Sequence, residues 1–121
     1  MPRPVRDPEL CPRFHYAVEL IGRRWTGAIL FLLEQAPARF CDLRAAVPGI
    51  TDPMLAERLR ELEREGVVER ALRPGPPARV QYALTAKGRA LGGVLRAVAR
   101  WSHAWLPAPR RAARRRAARP A

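Results

Sequence analysis

The chain has 121 residues, enough for one domain with a modest core, and its 48% apolar content is typical of globular rather than disordered proteins. Lys and Arg number 23 against 11 Asp and Glu, and the formal net charge of +12 favours polyanions such as nucleic acid or acidic membrane as partners. No apolar run is long enough for a transmembrane helix or a secretory signal, so we expect a cytoplasmic protein without a membrane partner.

Both ends of the chain have a biased composition. Residues 1–10 are rich in proline and are predicted to form a flexible arm. Residues 107–121 contain six Arg and no acidic residue. Such a tail either binds phosphates without reading sequence or is a disordered extension that reflects GC-rich coding. Residues 11–106 are predicted to form one domain.

The first half of the chain is predicted to be helical. Residues 12–21 carry apolar side chains at helical spacing after a proline suited to a first turn, and Gly22 ends this segment. A second helix begins near Arg24 and stops before Pro37, because the residue before proline avoids the helical region. A third, short helix spans residues 40–47.

Residues 52–65 are predicted to form a surface helix with well-marked ends. Thr51 or Asp52 can cap its start, and Gly66 is a C-terminal stop. Three leucines lie at i, i+4 and i+7, so one side of the helix faces a core. These are Leu55, Leu59 and Leu62.

After Gly66 the pattern changes from helix to strand. Residues 67–72 and 79–84 are strand-like, and the Pro- and Gly-rich loop between them predicts a β-hairpin with a basic tip. Thr85 then caps one long final helix with a broad apolar stripe. The stripe consists of Leu91, Val94, Leu95, Val98, Trp101 and Trp105.

This order of elements predicts a fold that is mainly α with a small β-hairpin (α+β), arranged as a winged helix-turn-helix. In this architecture the second helix of the pair enters the DNA major groove, about 12 Å wide, and the hairpin tip reaches the flanking backbone or minor groove. The candidate DNA-binding residues are those left outside the leucine face, together with two Arg of the hairpin. They are Thr51, Asp52, Met54, Ala56, Glu57, Arg58, Arg60, Arg73 and Arg79.

Nothing in the sequence indicates catalysis or a metal. The two Cys and two His lack the paired spacing of zinc ligands, and no catalytic triad order, phosphate loop or carboxylate pair has the context it needs. We therefore expect no enzyme activity, no metal and no cofactor. Cys41, which lies beside Phe40 and Leu43, is predicted to be a small core residue.

An ordered set of short motifs extends from about residue 11 to residue 105. Its members are Cys11-Pro12, IGRRWT at 21–26, RFCDLR at 39–44, PGIT at 48–51, Met54-Leu55, RLRELE at 58–63, GVV at 66–68, VQYALT at 80–85 and Lys87-Gly88. Together they resemble the HxlR-type family of bacterial winged helix-turn-helix regulators, relatives of the MarR group.

The resemblance implies a homodimeric transcription factor, usually a repressor, that binds inverted repeats in double-stranded DNA. Residues 52–65 match its recognition helix and residues 67–84 match its wing. The chain departs from the commoner pattern at Pro53, Ala56 and Glu57, which concerns the operator sequence rather than the mode of binding.

The resemblance also implies a role for the terminal helix. Its apolar stripe would be buried either by folding back on the same chain or by a two-fold interface with the first helix of another subunit. The family pattern favours the second alternative, a terminal dimerisation helix. Such pairing places two recognition helices about 34 Å apart, one DNA turn.

Several members of this family sense oxidants or electrophiles through a cysteine near the N-terminus, a position that Cys11 occupies. The chemistry is sound, because a helix N-terminus and the neighbouring Arg13 favour a thiolate. Cys11 is therefore the candidate site of action for a small-molecule or oxidant effector. The alternative is that Cys11 is only a small residue at a helix boundary.

Two other functions are compatible with a basic winged fold. The protein could be a nonspecific nucleoid or RNA-binding protein whose Arg charge dominates binding, or a protein-interaction module. RNA recognition favours exposed aromatic residues on a sheet, of which the hairpin offers only Tyr82. An interaction module gives no reason for Arg70, Arg73 and Arg79 in the hairpin.

Overall fold

The structure is a computed structural model that describes residues 11–109. The predicted arm at 1–10 lies outside the described residues, as does the predicted tail apart from residues 107–109. The elements are α1 (Pro12–Ile21), α2 (Thr26–Gln35), α3 (Phe40–Ala46), α4 (Asp52–Arg64), β1 (Val68–Arg73), β2 (Arg79–Leu84), α5 (Ala86–Arg89) and α6 (Gly92–Trp105). The predicted fold class, mainly α with one β-hairpin, is confirmed.

A sharp turn separates the first two helices. α1 begins at Pro12 and ends before Gly22, as predicted. α2 begins at Thr26, later than the predicted start near Arg24, because Trp25 has a left-handed backbone with φ 77°. A bulky residue adopts this conformation only where the surrounding packing holds it.

The core is built around α2 and α4. Thr51 Oγ1 accepts a hydrogen bond from the Met54 amide at 3.3 Å, so Thr51 rather than Asp52 caps α4. The predicted leucine face of α4 is confirmed, since all three leucines are buried. Leu55, Leu59 and Leu62 are exposed by 0%, 1% and 1%, respectively. Complete burial of one such side chain contributes roughly 1.5–3 kcal/mol.

The hairpin is antiparallel, with its register running from Val68 opposite Leu84 to Arg73 opposite Arg79. Ala38, between α2 and α3, forms a bridge to Tyr82 through backbone hydrogen bonds of 3.0 and 2.8 Å. The base of the hairpin is therefore joined to the segment that leads into α3.

The predicted single terminal helix is wrong, because α5 and α6 are separate helices. Gly88 packs on the Val67 carbonyl so closely that a Cβ would collide with the carbonyl oxygen. This contact holds α5 on the turn between α4 and β1. The Leu91 amide then bonds to the Gly88 carbonyl at 3.0 Å in a tight turn, and α6 begins at Gly92 and Gly93, which are poor helix formers.

Candidate nucleic-acid interface

The outer face of α4 is the first part of the candidate interface. The turn between α3 and α4 contains Gly49 with φ 87°, a backbone conformation that favours glycine. Beyond this turn, Thr51, Asp52, Glu57 and Arg60 are exposed, as predicted from the leucine periodicity. They offer hydroxyl, carboxylate and guanidinium groups, which are the groups that contact base edges and phosphates.

Arg58 does not belong to this outer face, so its predicted exposure on α4 is wrong. The residue is only 8% exposed. Its Nε donates to the Arg24 carbonyl at 2.9 Å and its Nη1 donates to Glu61 Oε1 at 3.1 Å. Helical spacing explains the burial, because position 58 lies three residues after Leu55 and four before Leu62.

Met54 and Ala56 are also less accessible than predicted. Both are half-buried, and Met54 packs against the core cluster. Position 54 adjoins the buried Leu55 at the start of α4, where its long apolar side chain folds toward the core rather than outward. Met54, one of the candidate DNA-binding residues, is therefore partly engaged in packing against the core.

Arg44, near the end of α3, is a candidate that the sequence reasoning missed. Its Nε lies 3.4 Å from Asp52 Oδ1, and its side chain is 55% exposed. In a helix-turn-helix, the first helix of the pair crosses the DNA backbone. The available signal was the RFCDLR segment, in which Arg44 follows the buried Leu43 and turns outward.

The hairpin supplies a second group of cations. Arg73 and Arg79 face each other at its tip, and both are exposed, as predicted. Arg73 Nε donates to Gln81 Oε1 at 2.8 Å, which restricts its side chain. Because strand side chains alternate, Arg73 and Arg79 lie on the face opposite the buried pair Val68 and Leu84.

Cys11 lies directly before α1 and is exposed. The backbone amides of Phe14 and then of Arg13 lower the pKa of the Cys11 thiol, and the Arg13 side chain adds to this effect. Helix amides stabilise a thiolate because their partial positive charges point at it. Exposure and a lowered thiol pKa are two properties that reactive cysteines share.

Cys41 is exposed, so its predicted place in the core is wrong. Leu43 on the same helix is 1% exposed and fills the inward position. A residue two positions earlier points to a different side of a helix.

Large apolar side chains remain exposed on α1 and α6. Trp101 is 57% exposed and Trp105 is 74% exposed, whereas Leu95 of the same predicted stripe is buried at 8%. One edge of the stripe therefore packs on the core and the other faces outward. The exposed apolar residues of the two helices include Phe14, Val18, Val94, Val98, Trp101 and Trp105.

The described residues were also compared with the requirements of a metal site and of a membrane-spanning helix. Between residues 11 and 109, no three His, Cys, Asp or Glu side chains are grouped closely enough to hold a metal ion. Over the same range, no helix combines the length and apolar character required to cross a membrane.

The α3–α4 pair and the basic hairpin that follows it define the class of protein as a winged helix-turn-helix transcriptional regulator. Residues 20–110 match the HxlR-like helix-turn-helix family, and the chain belongs to this family. Its members are DNA-binding regulators rather than enzymes, as the sequence predicted.

Proteins similar to this chain are also named as regulators. The chain is 43% identical over 102 residues to the HTH-type transcriptional regulator YvaP of Bacillus subtilis (strain 168). The aligned region covers 84% of this chain and 94% of YvaP. The reduced form of the transcriptional regulator YodB from B. subtilis matches with a TM-score of 0.74 and 40% identity, covering 81% of this chain and 96% of that chain. The oxidised form of the redox regulator HypR matches with a TM-score of 0.73 and 32% identity, covering 81% of this chain and all of that chain (100%). YodB has also been solved after diamide treatment and with bound quinone.

Proposed function

We propose that the protein is a homodimeric repressor that binds an inverted-repeat operator in double-stranded DNA. The observation that carries this proposal is the division of α4 into a buried leucine face and an exposed polar face directly after the helix-turn-helix turn. The exposed face enters the major groove, and the hairpin lies on the flanking backbone or minor groove. The proposed contacts are Arg44, Thr51, Glu57, Arg60, Arg73 and Arg79, while Asp52 pairs with Arg44.

The exposed apolar surface supports the homodimer. α1 contributes Phe14 and Val18, and α6 contributes Val98, Trp101 and Trp105, all more than half exposed. Such a surface is costly to leave in water, and a two-fold interface buries it with identical residues from both subunits. A two-fold dimer also presents two copies of α4 to successive turns of one DNA face, which matches an inverted repeat.

An oxidant or electrophile is the proposed effector, with Cys11 as its target. The support is the exposure of Cys11 and its lowered thiol pKa, together with the similarity to YodB, which has been solved reduced, diamide-treated and quinone-bound. With a quinone, the thiolate sulfur adds to a ring carbon, the ring carbonyl takes up the electron pair, and the product gains a proton from water.

Selection of binding sites from random double-stranded DNA tests the core of this proposal. We expect wild-type protein to enrich one inverted repeat whose half-sites are separated by about one helical turn, roughly 34 Å. The affinity for that repeat should exceed the affinity for scrambled DNA by about 10³-fold or more at physiological salt. Enrichment of no sequence, with binding that follows salt alone, would instead show a nonspecific basic DNA-binding protein.

A further inference from the structure

α4 carries a second inward-facing surface besides its leucines. Arg58, Glu61 and Glu65 lie at i, i+3 and i+7, which places them on one side of the helix. We call these three residues the polar strip. Arg58 is buried and the two glutamates are half-buried, whereas Arg60 on the outer face is exposed. The polar strip therefore contacts the protein itself rather than DNA.

The partners of the polar strip come from α1 and from the turn at residues 22–25 that follows it. Arg58 donates to the Arg24 carbonyl at 2.9 Å, and Glu61 Oε2 lies 3.2 Å from Arg23 Nε. At the end of α4, the Tyr16 hydroxyl donates to the Glu65 carboxylate. This hydrogen bond raises the pKa of Tyr16, so the phenol keeps the proton that it donates.

The Glu61 carboxylate joins two guanidinium groups. Oε1 accepts from Arg58 Nη1 at 3.1 Å, while Oε2 contacts Arg23. The Glu61 side chain is 15% exposed and that of Arg58 is 9% exposed, whereas Arg23 reaches solvent at 49%. A buried charge is tolerated only when it is paired and hydrogen-bonded, and each group here meets that condition.

The same turn also contacts the helix-turn-helix turn that precedes α4. Trp25 adopts φ 77°, and a Cβ placed on Gly49 would lie 3.5 Å from the ring atom Cη2 of Trp25. The Arg24 guanidinium lies over the Trp25 ring, with its Cζ 4.6 Å from the ring centroid. Residues 22–25 thus meet α4 at its middle and at the turn that leads into it.

We propose that Arg58 and Glu61 are positioning residues that fix the orientation of α4 against the turn between α1 and α2. Through this contact α1, which begins beside Cys11 and carries part of the exposed apolar surface, sets the angle at which α4 is presented to DNA. The inference rests on the proposed DNA-binding function and adds a role that requires no contact between Arg58 and DNA.

The test compares Arg58→Ala with Arg60→Ala, which removes an exposed guanidinium two residues away. Both are titrated with the operator selected by wild-type protein, over a range of salt concentrations and well below the unfolding temperature. For Arg58→Ala we expect operator affinity to fall at least tenfold with an unchanged salt slope, because no phosphate contact is lost. Arg58→Lys should keep part of the affinity, since an ammonium group can bond to the Arg24 carbonyl or to Glu61.

Three outcomes for a folded, dimeric Arg58→Ala protein would overturn the inference. Unchanged operator affinity would make Arg58 a stability residue only. A salt slope reduced by about one would make it a phosphate contact, and relaxed preference at a single base pair would make it a base contact.

If Arg58→Ala fails to fold, Arg23→Ala and Glu61→Gln carry the test, because Arg23 is half exposed and glutamine keeps the shape of Glu61. We expect each to lower operator affinity severalfold with an unchanged salt slope, and the double variant to lose less than the product of the two single losses. If both single variants bind the operator like wild type, the proposed positioning of α4 by the turn between α1 and α2 is refuted. Failure of wild-type protein to select any operator would instead refute the proposed function.

Discussion

Arg44 on α3 and Asp52 in the first turn of α4 form an ion pair, with 3.4 Å between Nε and Oδ1. Both side chains are more than half exposed, at 55% and 58%. An exposed pair of this kind contributes roughly 0–1 kcal/mol to stability, because water and salt screen it. Its larger effect is on the electrostatic field at the proposed DNA-binding edge, where the carboxylate offsets the charge of Arg44.

Replacing either member of this pair should therefore change DNA binding more than stability. We expect Arg44→Ala to weaken binding to all DNA and to reduce the salt slope by about 0.9, as for one lost phosphate contact. Asp52→Asn should strengthen binding to all DNA severalfold, because a negative charge near the phosphates is removed. Salt titrations on selected and scrambled duplexes measure both effects. A loss of operator preference in Asp52→Asn would show that Asp52 reads a base.

Arg60 and Arg64 offer a matched comparison on α4, since both are exposed and lie four residues apart on one side of the helix. Arg60 is nearer the N-terminal end, which enters the groove in helix-turn-helix complexes. Arg60→Ala should cost about 1–3 kcal/mol of operator binding and relax the preference at one position in each half-site. Arg64→Ala should weaken binding to all DNA sequences slightly and to the same extent. Indistinguishable binding profiles for the two variants would contradict the proposed placement of α4.

The exposed stripe on α6 predicts which substitutions separate the subunits. Val98 is 57% exposed on the apolar side, whereas His103 is exposed on a different side of the same helix. Val98→Glu places a carboxylate in the proposed interface and should give a monomer by analytical ultracentrifugation at micromolar concentration. His103→Glu adds the same group outside the stripe and should remain a dimer. A dimeric Val98→Glu protein would locate the interface elsewhere.

The lowered pKa of the Cys11 thiol predicts the pH dependence of its alkylation. Only the thiolate reacts, so the rate rises as pH passes through the thiol pKa. In Cys41→Ser, which retains Cys11 alone, the midpoint of iodoacetamide reaction should lie at lower pH in the folded protein than in denaturant. The shift requires α1, because the amides of Phe14 and Arg13 cause it. Equal midpoints under both conditions would remove the support for a reactive Cys11.

Two glycines with different surroundings should respond oppositely to alanine. A Cβ at Gly88 collides with the Val67 carbonyl oxygen, whereas a Cβ at Gly93 meets nothing within 4 Å. Gly88→Ala should therefore destabilise the protein by about 1–3 kcal/mol, since the backbone of α5 must shift. Gly93→Ala, in a helix, should stabilise it by about 0.4–1 kcal/mol. Urea unfolding of both variants measures the difference, and similar effects would contradict the described packing of α5.

Local patterns predicted the elements that depend on local chemistry. The spacing of Leu55, Leu59 and Leu62 located the buried face of α4, and two strand-like runs separated by a Pro- and Gly-rich loop located the hairpin. Arg58 is the exception on α4, because its charge predicts exposure whereas its spacing from the leucines places it on the inward side of the helix.

Features that depend on tertiary contacts were harder to predict. The break between α5 and α6 depends on the approach of Gly88 to Val67, two positions far apart in sequence. The left-handed conformation of Trp25 has no signal in the surrounding residues, since it is tied to packing near Gly49. These are long-range requirements, and one sequence contains no direct measure of them.

Lys87 is the single lysine among 23 basic residues, and its Nζ donates to the Glu65 carbonyl at 2.6 Å, at the C-terminal end of α4. A cation at this end of a helix is favourable, because the last carbonyls carry partial negative charge. Amine-selective acylating reagents, which spare guanidinium groups, would thus modify one side chain of this protein. Neutralising that ammonium group would remove the charge that faces the end of α4, so acylation at Lys87 would report on, and perturb, the anchoring of this helix.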